Sequence, residues 1–345
     1  MDRFGTKILA LALALMLAMG AALAEQAIPE EAGEEIVEEV IEEVTEEISE
    51  EQSIENALQE EEQDLSIYYE AKIQLDSDEL AVTDGLDSGW RNILLAGGDS
   101  RVEGSYGRTD AMVILSVNTN RREVKMTSVM RDIWTPMHGR EPQKISAANV
   151  FGGPTLMMRT INEDFGMNIT DYILVDMAGI ETIIDILGGL DLDITANEMR
   201  GLNASWNRDG SAQIEPLTEY GENIHLNSEQ VLAYARLRSI DNDYQRTARQ
   251  RAVLVAMARQ ATQVESSDML NLIRECMNSV ETNLSMTDVI QLAVLATQVD
   301  LEQIEQFRIP ADDAYTTGYE GKLWVIWPDF EENTRQLYDF IYGEN

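Results

Sequence analysis

Five arginines, Arg236, Arg238, Arg246, Arg249 and Arg251, fall within sixteen residues of a chain that carries 63 acidic and 25 basic residues. Arginine suits phosphate because its planar fork grips two oxygens at once and its charge does not titrate away. Such a concentration in an acidic chain points to an anion site, the alternative being surface salt bridges, which stabilise little. Asn227 and Gln230 have capping-box spacing, so a short helix is predicted from Ser228 through Tyr234, closed by Arg236 and Arg238. Residues two apart on a helix diverge by about 200°, so that pair shares a target only where the chain is extended. A second helix, capped by Asp241 or Asp243, carries Arg246, Gln250, Val253 and Met257 along one face. A cation on the inward side of a first turn opposes the helix dipole unless an anion is bound there, so Arg246, and less directly Arg249, reads as a ligand to a buried phosphate.

The elements that would position these groups begin upstream. Asn92–Ala96 reads as a buried strand, 97–110 as a Gly-rich polar loop, Met112–Val117 as a second strand and Glu123–Val129 as a third after the turn signal Asn118-Thr119-Asn120. Such a meander brings the end of its first strand, the start of its second and the end of its third to one edge. Asp99, Arg101, Asp110, Arg131 and Asp132 then share a rim. A pyrophosphate facing carboxylates requires a divalent cation between them, and Mg2+ takes one or two carboxylates plus phosphate oxygens, which makes Asp99 and Asp110 candidate metal ligands. Turn-forming loop aspartates are the plainer alternative. Further on come Gly152-Gly153, a helix around Thr155–Phe165, a strand at Tyr172–Asp176, a helix from Gly179 to Leu187 stopped by two glycines, and a strand at Leu190–Ile194. Strands interleaved with helices after a meander predict an α/β or α+β sandwich with a mixed sheet.

The N-terminus has the layout of a secretory signal peptide. Asp2, Arg3 and Lys7 precede an apolar run from Ile8 to Ala24 that ends Ala22-Leu23-Ala24. The same run reaches the lower length limit of a retained membrane anchor, and either reading puts the remainder outside the cytoplasm. Residues 25–64 hold 18 acidic and no basic residues, in a period-four pattern that drifts around a 3.6-residue helix, so they are expected to be a solvated spacer. The acidic balance excludes nucleic acid as a bulk partner. Cys276, the lone cysteine, sits among Leu272, Ile273 and Met277 and reads as a core thiol.

The blocks Asn92-Ile-Leu-Leu-Ala-Gly-Gly-Asp-Ser-Arg101, Gly107-Arg-Thr-Asp110, Ser128-Val-Met-Arg-Asp132, Lys144-Ile-Ser-Ala-Ala148 with Gly152-Gly153, Asp185-Ile-Leu-Gly-Gly189, Tyr234-Ala-Arg-Leu-Arg238 and Arg246-Thr-Ala-Arg-Gln250 resemble, in order, the pattern of the LytR-CpsA-Psr family. The likeness is dense over 90–261 and thin towards the C-terminus, where Asn283-Leu-Ser also fits. It implies a domain over 65–345, an αβα sandwich with a mixed central β-sheet and a C-terminal α/β extension. The implied activity is a Mg2+-dependent phosphotransferase that moves a teichoic acid, capsular or related glycan from polyprenyl pyrophosphate to peptidoglycan. The resemblance makes Asp99 and Asp110 the Mg2+-associated pair and Arg131, Arg236, Arg238, Arg246 and Gln250 pyrophosphate ligands. Arg101, Arg108 and Lys144 join the outer part of that shell. Catalysis would rest on Asp99, Asp110 and Arg131, with either aspartate orienting or deprotonating the acceptor hydroxyl. Membrane contact would come through the lipid substrate or an uncleaved N-terminus. The apolar helix faces of Leu156, Met157, Ile161, Ile180, Ile183, Ile184 and Leu187 would line a slot for the lipid tail, ordinary core being the alternative. Met130 stands where the family usually has proline, a change expected to loosen the backbone before Arg131. A lipid pyrophosphatase and a non-catalytic binder of lipid-linked glycan are the rival functions.

Overall fold

Three consecutive strands form the centre of the computed structural model, β1 (Arg91–Asp99), β2 (Arg108–Asn118) and β3 (Glu123–Val129), paired as an antiparallel meander. The structure describes residues 72–99, 106–205, 214–237, 240, 243–261, 276–296, 298–299 and 304–343. The expected signal or anchor at 1–24 and the acidic spacer at 25–64 lie outside the described residues. The turn between β2 and β3 is closed by Asn118, whose side-chain oxygen accepts from the Arg121 amide at 3.0 Å.

A hairpin of β4 (Trp134–Met137) and β5 (Arg140–Lys144) leads to helix α1 (Ala148–Phe165). Next come β6 (Asp171–Asp176), α2 (Met177–Leu187), β7 (Leu190–Ile194), α3 (Ala196–Ser205), β8 (Gly221–Leu226), α4 (Ser228–Arg236) and α5 (Asp243–Ala261). The chain ends through β9 (Glu281–Thr282), α6 (Met286–Ala296), β10 (Glu305–Ile309), the hairpin β11 (Tyr315–Glu320) and β12 (Leu323–Pro328), and α7 (Phe330–Tyr342). The main sheet has the order β10-β3-β2-β1-β6-β9, with β10 parallel to β3, β6 parallel to β1 and the other pairs antiparallel.

Helices cover both faces of this sheet, as two side chains of β3 demonstrate. Lys125 and Ser128 differ by an odd number of positions and so point to opposite faces. The Lys125 ammonium donates to the Phe340 carbonyl of α7 at 2.6 Å, and the Ser128 hydroxyl accepts from Arg251 of α5 at 2.8 Å. The fold is therefore an α/β sandwich with a mixed central sheet. Double coverage explains why β2 is buried without interruption from Thr109 to Asn118 instead of alternating.

The predicted strands are all present, with two extensions. The segment 97–110 is not wholly a loop, because β1 continues through Gly97, Gly98 and Asp99 while β2 begins at Arg108. The helix predicted around Thr155 is present after the predicted break, since Gly152 and Gly153 have non-helical backbone angles, and a short helical segment from Ala148 precedes that break. Gly153 has φ 63°, and a Cβ there would stand 2.6 Å from the Tyr106 ring, so glycine is required on both counts. Leu156, Met157, Ile161, Ile180, Ile183, Ile184 and Leu187 are all buried in the hydrophobic core, as is Cys276.

Near the end of α1, Asp164 accepts a hydrogen bond from the Thr135 hydroxyl at 2.6 Å. Burial, only partly offset by that bond, pushes its pKa up to about 7. The folded state thus binds a proton more tightly than the unfolded chain, and stability falls as pH rises from the ordinary carboxylate range through about 7. Asp164→Asn is expected to add about 1–2 kcal/mol at pH 8 and nothing below pH ~4, read from urea unfolding across that range.

Candidate functional site

Asp110 is the residue that the β1–β2 ladder passes over. Gly97 pairs with Ala111 and Gly98 with Thr109, so Asp110 occupies a bulge with no partner on β1. Bulges bend a strand and re-aim a side chain, and they concentrate beside functional sites. On its other side the register Val113↔Ser128, carried three residues further, sets Arg131 opposite Asp110, and the Arg131 guanidinium donates to that carboxylate. Arg131 Nε lies 3.6 Å from Asp132 Oδ2, and Lys144 Nζ lies 2.7 Å from Asp132 Oδ1. Asp110, Arg131, Asp132 and Lys144 thus form a largely buried chain of alternating charge at the end of β3.

Backbone bonds hold the same arrangement. Lys144 ends β5, and the turn that follows it ties back to the segment just after β3, with Ile145 N donating to Ile133 O at 2.8 Å and Ser146 N to Arg131 O at 3.3 Å. Met130 is buried, and its amide donates to Ile309 O of β10 at 2.9 Å. Proline has no such donor, so methionine here adds a tether and does not loosen the strand, contrary to the expectation from sequence. Asp132, which sequence set on the rim without a role, joins Lys144 to Arg131. Its partner is twelve residues away and comes within reach only through the β4–β5 hairpin, which pairs Trp134 with Lys144.

The backbone of Asp99 ends β1 opposite the half-buried Arg108. Positions 99 and 110 therefore stand on adjacent strands at one edge, as the meander required. The Asp99 side chain, Arg101 and Arg238 lie outside the described residues.

The arginine-rich segment folds as two helices. α4 starts at a reciprocal capping box, with Gln230 N donating to Asn227 Oδ1 at 2.9 Å and Asn227 N to Gln230 Oε1 at 3.0 Å. Arg236 is its last residue, and Leu237, at ψ 119°, is already extended, the break that a shared orientation of Arg236 and Arg238 requires. On α5, Arg246, Gln250, Val253 and Met257 are all buried, Arg246 with 1% exposure. Arg249 departs from the sequence reading as a phosphate ligand. It donates to the Leu237 carbonyl, lies 3.6 Å from Glu198 and sits 6.0 Å from the Tyr234 ring, so it fastens α5 to the end of α4. Arg251 donates to Ser128 Oγ at 2.8 Å and Gln306 Oε1 at 2.6 Å. Burial, and then the neighbouring Arg308 charge, push its pKa down. Arg308 itself stacks over Tyr244 at 4.1 Å.

The ion-pair chain and the α5 arginines are both referred to one strand. α5 is bonded to β3 at Ser128, three residues before Arg131. Removing Arg131 leaves Asp110 and Asp132 buried without it, so Arg131→Ala is expected to cost about 3–5 kcal/mol of stability. Adding Asp110→Ala should recover part of that loss in a double-mutant cycle followed by urea unfolding.

The fold and its motifs match known proteins. The sequence profile of the LytR_cpsA_psr family matches residues 41–334. The polyisoprenyl-teichoic acid–peptidoglycan teichoic acid transferase TagU of Oceanobacillus iheyensis is 33% identical over 204 residues, covering 56% of this chain and 59% of that protein. The regulatory protein MsrR of Staphylococcus aureus is 25% identical over 260 residues, covering 72% and 74% respectively. Among solved structures, TagV of B. subtilis superposes with a TM-score of 0.60 at 23% identity, over 74% of this chain and 98% of that one. TagT bound to LI-WTA gives 0.61 at 21% identity, over 78% and 99%. With the profile extending across most of its length and the sandwich shared, the chain belongs to the LytR_cpsA_psr family.

Proposed function

We propose that this protein is an exported phosphotransferase that moves a glycan polymer from a polyprenyl-pyrophosphate carrier to a hydroxyl of peptidoglycan, at the outer face of the membrane where carrier and wall meet. The observation that carries the reading is the burial of basic side chains about one strand end. Arg131 and Lys144 are held there by carboxylates, and Arg246 lies fully buried in the first turn of α5, on a helix bonded to the same strand. The transferase activity named for TagU, which acts on a polyisoprenyl-linked substrate, supports the same reading.

Phosphoryl transfer asks little covalent work of a protein and much positioning and charge stabilisation. Arg236, Arg246 and Gln250, with Arg238, would grip the pyrophosphate oxygens. Arg131, fixed in direction by Asp110 and Asp132, would face the oxygens on which charge accumulates as the bond to the lipid phosphate breaks. Arg108 and Lys144 add positive potential at the rim. Asp99 and Asp110, on adjacent strands at one edge, are the carboxylate set that Mg2+ takes alongside phosphate oxygens. Bound there, Mg2+ would supply Lewis-acid stabilisation of the phosphoryl charge. One of the two aspartates would orient the acceptor hydroxyl and take its proton.

Transfer from a synthetic lipid-pyrophosphate glycan tests this proposal. Arg236→Ala, at the last residue of α4, is expected to slow transfer roughly ten- to a hundredfold, with melting temperature measured alongside to separate lost activity from lost fold. Arg236→Lys should rescue only part, since lysine keeps the charge and loses the fork. Chelation of divalent ions should abolish turnover, and added Mg2+ should restore it. Full activity of Arg236→Ala would remove the anion site, and glycan released to water in place of the acceptor would make the protein a pyrophosphatase.

A further inference from the structure

Two carbonyls at the start of α1 are served by donors from far outside the helix. The first turn, from Ala148 to Phe151, is set apart by the non-helical Gly152 and Gly153, and the last carbonyls of a helical turn lack intrahelical donors. For Val150 the residue four positions on is Pro154, which has no N–H to give. Lys72 Nζ donates to Val150 O at 2.6 Å, and the Ile73 amide donates to Phe151 O at 2.8 Å. Gly152 leaves room for this approach, since a Cβ there would stand 3.1 Å from the Ile73 carbonyl. The chain then follows α1 and passes its end, where Asn162 Nδ2 donates to Leu80 O at 2.9 Å and Thr83 N to Met167 O at 2.9 Å.

The turn held in this way is itself bonded to the rim. Ser146 N donates to Arg131 O at 3.3 Å, the Thr109 hydroxyl to Ser146 O at 3.4 Å, and Asn149 Nδ2 to Gly107 O at 2.8 Å. These partners are Arg131 itself and the residues that precede Asp110 and Arg108. The β4–β5 hairpin meets the same turn. A Cβ on Gly139, in the hairpin loop, would lie 3.5 Å from Ile73 Cδ1, and the Arg140 guanidinium stacks over the Phe151 ring at 3.7 Å. Lys144, which closes the ion-pair chain, is the last residue of that hairpin. Lys72 and Ile73 therefore brace a segment to which Arg131, the start of β2 and the Lys144 hairpin are all attached.

Ordering a long lysine side chain on one carbonyl costs rotamer freedom, and a lysine on the surface otherwise keeps its ammonium in water. We propose that Lys72 and Ile73 form a clamp that sets the geometry of the rim, with Lys72 a positioning residue for transfer that acts through the first turn of α1. Neither residue touches the reacting atoms. The effect on rate rests on the transferase reading, whereas the mechanical link from residue 72 to Gly107–Asp110 does not. Plain scaffolding is the competing account, and the two differ in reach: scaffolding confines the effect of losing Lys72 to α1, whereas a clamp carries it across to the start of β2.

The test uses the full chain and its Lys72→Met, Lys72→Arg and Ile73→Pro variants. Methionine keeps much of the stem and removes the donor, arginine keeps a donor, and proline removes the amide at 73. Amide hydrogen exchange reads the turn and the rim without substrate, and steady-state transfer with donor lipid and acceptor varied in turn reads kcat and each KM. Lys72→Met and Ile73→Pro should speed exchange about tenfold in peptides covering 106–110 as well as 148–158, the equivalent of one lost hydrogen bond. They should lower kcat about tenfold with both KM values unchanged, as a small displacement of a group acting in the transition state does. Lys72→Arg should restore exchange and kcat together. Lys72 is exposed, so its variants keep the test valid if Ile73→Pro fails to fold. Exchange at 106–110 unchanged in Lys72→Met would overturn the proposal, as would faster exchange there with kcat of an active enzyme untouched. A wild type that transfers nothing, with exchange at 106–110 still dependent on Lys72, would count against the transferase reading and leave the clamp on the rim standing.

Discussion

A carboxylate and a guanidinium set side by side at the buried end of a sheet tolerate that position because of one another. Asp110 is brought there by a bulge and Arg131 by the register of the neighbouring strand, and neither would be inexpensive to bury alone. The pair extends through Asp132 to Lys144, so a β-hairpin twelve residues further on is drawn against the same edge. Specific geometry follows from this arrangement: the direction of the Arg131 fork, the approach of the turn after β5, and through that turn the start of α1.

The second support is packing across the sheet. Arg251 reaches Ser128, Arg249 reaches the end of α4, and Arg308 lies over Tyr244, so three arginines fix the helical layer on one face of the sheet. A chain with so few basic residues uses at least Arg249 and Arg251 of its arginine-rich segment in this way. The spacing of Arg246 and Gln250 placed both on a buried face correctly. Arg249, one turn on from Arg246, shares that burial and donates to the Leu237 carbonyl.

Much of the fold was legible because its central strands are short apolar runs separated by turn residues, and because Asn227 and Gln230 mark a helix start by type and spacing. The extension of β2 back to Arg108 was not, since the glycines and polar residues of 97–110 carry turn chemistry and the ladder continues through them by means of a bulge. Pairings between distant segments were also hidden. Nothing in Glu305–Ile309 names β3 as its neighbour, and nothing in Glu281 announces the two tyrosines that donate to it from elsewhere in the chain. At the site, the meander sufficed to set Asp110 and Arg131 on one rim and the family resemblance nominated Lys144, whereas Asp132 as their connector depends on contacts that only the folded chain creates.

The Met130 amide points at Ile309, and this has a bearing on how the chain is made. The meander β1–β2–β3 joins neighbours in sequence and closes with short loops, so it can form early during synthesis. Its outer strand, β3, then presents a row of open backbone groups until more than 170 further residues have been added and β10 arrives to pair with it. An open edge of this kind is a template for association with other chains. The nascent protein therefore carries an open sheet edge for much of its own translation, and the last strand of the main sheet to be made is the one that seals it.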